Sequence, residues 1–211
     1  MGVDANRQVG ILGAGRMGLG LAAAWAAQGW GVTLGSRDPK ALAERLVDVD
    51  VAGVRPASHD EAVRAPVVVL ATPWPVTAEL VSAHAQALAE RMLIDITNPF
   101  GQAPPGSSGV AVHQAALGRP ARWAVAFKTN FWTTIALQDG ALRQCLIAAD
   151  DDGARAVAVA LAVAAGFAPL DCGGLEAAQA LDGMVPLMIE LDRRAGGAHR
   201  SHWHFATTDG L

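Results

Sequence analysis

The chain has 211 residues, a formal net charge of −4 and 52% hydrophobic residues. This composition suits one large domain, or a domain with a small appendage, and it offers no basic field for nucleic acid and no basic run for a membrane surface. No signal region, bilayer-spanning apolar run or Cys/His metal spacing is apparent, so we expect a cytoplasmic protein with no metal site and no membrane partner. The two cysteines, Cys145 and Cys172, are expected to be free thiols.

A glycine-rich turn follows the first predicted strand. Residues 8–12 are apolar and lead into Gly13-x-Gly15-x-x-Gly18, a pattern typical of dinucleotide-binding folds. The first glycine permits a tight turn, the second admits the phosphates and the third allows close helix packing. Since a helix N-terminus attracts anions, the pattern predicts pyrophosphate contacts at Gly13, Gly15, Arg16, Met17 and Gly18. A structural turn that binds no nucleotide is the alternative.

The second predicted strand, residues 31–35, ends in Ser36 and Arg37. Enzymes that use NAD usually carry an acidic residue here, which accepts hydrogen bonds from the ribose 2′-hydroxyl. An arginine can instead bind a 2′-phosphate through charge-assisted hydrogen bonds, and the serine hydroxyl can add a donor. The strand end therefore favours NADP(H) over NAD(H), with an exposed loop arginine as the alternative. Asp38 and Pro39 fit the start of the next helix.

Strand and helix patterns then alternate along the chain, which predicts an α/β fold with a Rossmann-type doubly wound parallel sheet and a small C-terminal domain. We place an NADP(H)-binding domain at residues 1–138 and a substrate-side or dimerisation portion at 139–211. The remaining strands are predicted at 66–71, 91–96, 122–127, 145–149 and 167–172. The remaining helices are predicted at 39–46, 59–64 (capped by Ser58), 76–90, 153–165 and 175–193, with a surface loop at 101–109.

Polar or restricted residues follow the predicted strands, where ligands bind in such sheets. Ala71, Thr72 and Pro73 are predicted along the nicotinamide ribose, and Asn98 is predicted at the same edge. Trp74 either walls the ring or packs over a helix start. The chain contains no tyrosine, which excludes a Tyr-Lys dyad, and the catalytic residue is unknown, with Lys128 and Asn98 as candidates.

Several segments together resemble the NADPH-dependent reductases of the deazaflavin coenzyme F420. They are the glycine turn, residues 32–37, 71–73, 95–99, 126–131, 147–151 and 169–178, and they cover nearly the whole chain in order. The resemblance implies a Rossmann domain, a small C-terminal domain, and hydride transfer between NADPH and F420 as the second substrate. Stacking of two redox rings away from water is the main requirement of such a reaction.

Two alternatives stay open. One is an NADPH-dependent reductase of a small imine, enamine or activated alkene, and the other is a dinucleotide-binding module without turnover. The predicted helix at 175–193 carries an apolar stripe that either closes the substrate cleft or forms a homodimer face, and Pro186 predicts a kink or restart within it. The segment 199–205 contains three histidines and is expected to be docked or frayed.

Overall fold

The computed structural model describes residues 7–48, 51–137 and 139–207. The strands are β1 (Gln8–Leu12), β2 (Gly31–Gly35), β3 (Val54–Ala57), β4 (Val67–Leu70), β5 (Met92–Asp95), β6 (Arg122–Val125), β7 (Gln144–Ala149) and β8 (Ala168–Asp171). The helices are α1 (Arg16–Ala27), α2 (Pro39–Asp48), α3 (His59–Ala62), α4 (Trp74–Ala83), α5 (Ala85–Leu88), α6 (Gly109–Leu117), α7 (Asp152–Ala164) and α8 (Ala178–Arg194).

One eight-stranded sheet organises the molecule, in the order β3-β2-β1-β4-β5-β6-β7-β8. The first six strands are parallel to their neighbours, and β4 is buried along its whole length, as expected for a sheet covered on both faces. Strand order reverses between β1 and β4, and ligands bind at such a switch point beyond the carboxyl ends of the strands. The predicted doubly wound Rossmann-type α/β fold is confirmed.

The last two strands extend this sheet with reversed direction. β7 pairs antiparallel with β6, and β8 pairs parallel with β7. The amino-terminal end of β7, at Gln144, therefore lies at the edge where the first six strands end. Asn130, which follows β6, donates a hydrogen bond to the Gln144 carbonyl oxygen over 3.0 Å and ties the two segments together.

The helices agree with the predicted pattern in most places. Ser58 caps α3 in a capping box with Glu61, as the sequence suggests. The predicted helix at 76–90 is divided at His84 into α4 and α5. α6 was not predicted, because its sequence consists mostly of Ala, Val and Gly and does not alternate between an apolar and a polar face.

Of the kink or restart predicted at Pro186, the restart is wrong, since α8 runs without a break from Ala178 to Arg194. Proline removes one helical hydrogen bond, but Val185 and Met188 on either side of it are buried. Their packing holds the helix in one piece.

Apolar side chains fill both faces of the sheet. Trp25 on α1 is fully buried on one face and donates an indole hydrogen bond to the Leu161 carbonyl oxygen on α7 over 2.8 Å. Leu70, Leu93 and Val125 belong to the cluster on the other face. Across the described ranges, no helix has both the length and the apolar character needed to cross a membrane.

Candidate active site

The glycine turn between β1 and α1 has the backbone geometry that a dinucleotide phosphate requires. Gly13 has a φ of +121°, and a Cβ there would lie 2.6 Å from the Ala71 carbonyl oxygen. A Cβ on Gly18 would lie 2.0 Å from the Gly13 carbonyl oxygen, whereas a Cβ on Gly15 would meet no atom of the described residues within 4 Å. Gly15 is the N-cap of α1 and supplies no side-chain cap. The helix amide groups are therefore open to an anion, and the turn fits a pyrophosphate.

A cavity of about 520 Å³ lies over this turn and the ends of β2 and β4. Seven of the predicted cofactor-binding residues line it: Gly13, Gly15, Ser36, Arg37, Ala71, Thr72 and Pro73. The lining also includes Arg45 and His59, which the sequence motifs did not indicate. Arg45 donates a hydrogen bond to the Ala14 carbonyl oxygen over 2.9 Å, so α2 is fastened to the glycine turn.

The charges at the β2 end of the cavity favour an anion. Arg37 is exposed and, among the described residues, has no hydrogen-bond or ion-pair partner. Asp38, the nearest acid in sequence, instead caps α2 by accepting hydrogen bonds from the Lys40 and Ala41 amides. The Arg37 guanidinium is thus available to a ligand.

Four of the predicted cofactor-binding residues do not line this cavity: Arg16, Met17, Gly18 and Asn98. Met17 packs against the apolar core, and the Arg16 guanidinium lies 4.7 Å from the centre of the Trp132 ring, in cation–π contact. Asn98, after β5, donates a hydrogen bond to the Lys128 carbonyl oxygen over 3.1 Å. Its own side-chain oxygen is buried without a partner among the described residues.

Lys128 is buried at the same sheet edge and is fixed by two acceptors. Its ammonium group donates to the Thr97 carbonyl oxygen at 2.5 Å and to the Asp182 carboxylate on α8 at 2.6 Å. The other oxygen of Asp182 accepts the Gly109 amide at 2.7 Å. The pair therefore joins the ends of β5 and β6 to α6 and α8. No motif pointed to Asp182, because its partner is 54 residues away.

A second buried pair lies beneath the strand ends. The Asp95 carboxylate bonds to the His113 ring at 2.8 Å and accepts both the amide and the hydroxyl of Thr97. Burial raises the pKa of Asp95, but the charge of Lys128 and the hydrogen bonds of His113 and Thr97 outweigh it and hold the pKa below the usual range. A negative charge is thus stabilised under the cleft.

Trp74, for which the sequence left open a wall beside the ring or packing over a helix start, packs against α6. Its ring centre lies 5.9 Å from that of His113, and a Cβ on Gly109 would lie 2.8 Å from its indole nitrogen. That nitrogen and Nε2 of His113 are both buried and, among the described residues, without partners. The structure thus shows Trp74 in a packing position.

The segment after α8 is docked rather than frayed as far as residue 207. The Asp192 carboxylate accepts backbone amides of residues 199–201 at 3.0–3.2 Å. The Gln144 side chain both donates to and accepts from the Phe205 backbone, at 3.0 and 2.6 Å. His199 places its ring 4.7 Å from that of Trp132. The docked segment and Trp132 therefore form an aromatic wall beside Arg16.

The sheet order with its switch point, the glycine turn and the basic cavity define a dinucleotide-binding protein with a Rossmann fold. Comparison with known proteins identifies the family. A family model described as NADP oxidoreductase, coenzyme F420-dependent, matches residues 8–99. An F420-dependent NADP reductase of Methanothermobacter thermautotrophicus is 30% identical over 204 residues, with 87% of this chain and 88% of the relative covered. The chain belongs to the coenzyme F420-dependent NADP oxidoreductase family.

Solved structures agree on the fold. A putative F420-dependent NADP-reductase from Arthrobacter sp. FB24 matches with a TM-score of 0.82 at 24% identity, covering 96% of this chain and all of that one. An imine reductase of Streptomyces aurantiacus matches with a TM-score of 0.66 at 20% identity, covering 90% of this chain and 62% of that one. The same architecture therefore also occurs in a reductase of a different substrate class.

Proposed function

We propose that this chain transfers hydride between NADPH and coenzyme F420. The observation that carries the proposal is the cavity at the switch point, where an open glycine turn and the Arg37 guanidinium share one concave surface. The turn accounts for a pyrophosphate, and Ser36 with Arg37 accounts for a 2′-phosphate. Family membership adds F420 as the second substrate.

NADPH supplies the hydride when bound, and reduction of the deazaflavin consumes one further proton, which solvent provides. The protein's task is to hold two rings in contact and exclude water, a task worth about 7–11 kcal/mol of barrier in favourable cases. Asn98 is suited to hold the nicotinamide carboxamide, because its buried side-chain oxygen has no partner among the described residues. Lys128 acts in this proposal as a positioning residue, since its ammonium is already engaged by Thr97 and Asp182.

The C-terminal portion, residues 139–211, is proposed to form the substrate side and a homodimer face. Leu187, Ile189 and Leu191 on α8 are all at least 40% exposed, and large exposed apolar side chains are typical of interfaces. We place the protein in the cytoplasm, where NADPH and reduced thiols are maintained. Light scattering coupled to size-exclusion chromatography tests the dimer, and a monomer mass would contradict it.

A direct assay follows the absorbance of NADPH and of F420 together. We expect stoichiometric loss of both when the protein is added, and much slower turnover with NADH. Arg37→Ala should weaken NADPH binding roughly tenfold or more, because a hydrogen bond to a charged group is lost, and should leave NADH binding unchanged. Arg119→Ala is the matched control, since Arg119 is exposed and does not line the cavity.

Two outcomes would redirect the proposal. Oxidation of NADPH by a cyclic imine, with none by F420, would favour the imine reductase alternative. Binding of NADPH with no oxidation by any acceptor would favour a module without turnover.

A further inference from the structure

His59 is a basic side chain of the cavity that no nucleotide-binding motif of the sequence includes. It begins α3, directly after β3, and lines the same cavity as Ser36 and Arg37. Its ring lies against the end of β2, because a Cβ on Gly35 would be only 3.0 Å from His59 Cδ2. The missing side chain of Gly35 therefore leaves the space that the imidazole occupies.

The hydrogen bonding of this ring restricts what it can do when neutral. The Gly35 backbone carbonyl favours a hydrogen bond from one ring nitrogen, an interaction that raises the pKa of His59. A neutral imidazole has a single N–H, so its other nitrogen can only accept a hydrogen bond. A phosphate has only acceptor oxygens at neutral pH and cannot pair with that nitrogen. Protonation converts the nitrogen into a donor, and His59 can then bind a phosphate without breaking its bond to Gly35.

The surroundings favour the neutral ring before a ligand arrives. Burial lowers the pKa of His59, and His84 and Arg37 lower it further, whereas the Gly35 hydrogen bond and Asp60 raise it. The Asp60 carboxylate also faces His84, whose ring nitrogen lies 3.4 Å away. A phosphate dianion beside the ring would reverse this balance, because a nearby opposite charge favours the protonated form.

We propose that His59, together with Ser36 and Arg37, binds the 2′-phosphate of NADP(H), and that binding is coupled to proton uptake by this imidazole. The inference rests on the proposed use of NADP(H). It makes discrimination against NAD(H) dependent on pH, since only the phosphorylated nucleotide recruits the proton. Affinity for NADP(H) relative to NAD(H) falls as pH rises through the range in which the bound ring deprotonates.

Titration calorimetry with 2′,5′-ADP and with 5′-AMP tests this coupling without any turnover. At about pH 7.5 a phosphate monoester, with a second pKa of about 6, is already a dianion, so the ligand itself takes up almost no proton. Repeating each titration in two buffers of different ionisation enthalpy gives the number of protons bound. We expect uptake approaching one proton with 2′,5′-ADP and none with 5′-AMP.

His59→Asn retains an N–H that can donate to Gly35 but cannot be protonated. This variant should bind 2′,5′-ADP roughly tenfold more weakly without proton uptake, and its affinity for 5′-AMP should be unchanged. His202→Asn changes an exposed histidine that does not line the cavity; it is the control and should retain the uptake. Thermal unfolding of both variants verifies that they are folded.

The outcomes separate the two levels of the proposal. If the wild-type protein binds 2′,5′-ADP no better than 5′-AMP, the proposed use of NADP(H) fails and the inference fails with it. If 2′,5′-ADP binds preferentially but without proton uptake, or with the same uptake in His59→Asn, the role of His59 is wrong and the proposed function stands.

Discussion

The buried ion pair between Lys128 and Asp182 should be a major determinant of how α8 is held against the cleft. The two side chains are 1% and 10% exposed, and their charged atoms are 2.6 Å apart. Removing one partner of a buried pair lowers the free energy of unfolding by about 3–5 kcal/mol, whereas replacing both partners with apolar residues often leaves it unchanged. Because Asp182 retains some contact with water, we expect the lower end, about 3 kcal/mol, for Asp182→Asn, which leaves the ammonium uncompensated.

The matching cycle uses Lys128→Met and the double variant Lys128→Met/Asp182→Leu. Lys128→Met should cost less than Asp182→Asn, because the remaining carboxylate keeps the Gly109 amide. The double variant should recover most of the lost stability. Urea unfolding followed by tryptophan fluorescence measures all three, with unchanged m-values as the sign that only stability has moved.

Two results would refute this account of the pair. One is a decrease in the free energy of unfolding of less than about 1 kcal/mol for Asp182→Asn, which is typical of a surface ion pair. The other is simple additivity in the double variant, which would mean that the two groups are not coupled. Hydride transfer by the double variant also tests Lys128 directly, since retained turnover would exclude it as an obligatory proton donor.

Three further predictions concern the glycine turn, Asp95 and the thiols. Gly15→Ala should leave the melting temperature unchanged, because the new Cβ meets no atom within 4 Å in the described part of the chain. It should weaken NADPH binding about tenfold or more, at least about 1.4 kcal/mol. Gly18→Ala should lower the melting temperature, since its Cβ would lie 2.0 Å from a carbonyl oxygen, and equal melting of the two variants would contradict both explanations. The folded-state pKa of Asp95 is lowered, so the ionised carboxylate stabilises the fold above about pH 4, and this contribution is lost as pH falls. Asp95→Asn should therefore flatten the acid side of a plot of urea midpoint against pH. An unchanged plot would contradict this. Burial raises the pKa of Cys145 to about 12, so a disulfide reagent should label the less buried Cys172 in the folded protein and Cys145 only after unfolding. Mass spectrometry of the labelled peptides measures this, and simultaneous labelling of both cysteines would contradict it.

The fold could be predicted because its strands and its ligand turn carry local signals. An apolar run such as Val67–Leu70 and the glycine spacing at 13–18 are contiguous in sequence. α6 gave no such signal, and its position is set by long-range contacts, including the Asp182 bond to the Gly109 amide. The reversed direction of β7 also follows from pairing with β6 rather than from its own residues.

The candidate site was predictable only where a residue follows its strand directly. Ser36, Arg37 and Thr72 follow β2 and β4 and line the cavity. His59 follows Ser58 after β3, the neighbour of β2, so its position at the same sheet edge was a usable signal. Asp182 had none, since it lies within α8, far along the chain from Lys128.

Because β7 runs antiparallel to β6, the two edges of the sheet at which strands begin and end have different roles. The loops at 150–151 and 172–174 follow β7 and β8 and therefore open on the rim away from the nucleotide cavity. Arg155 links this rim by bonding to Asp171 and to the carbonyl oxygens of Ala149 and Gly173. Insertions or a fused reporter at the 172–174 loop should thus change the stability of the fold without changing ligand affinity. This edge of the sheet is therefore suited to engineering.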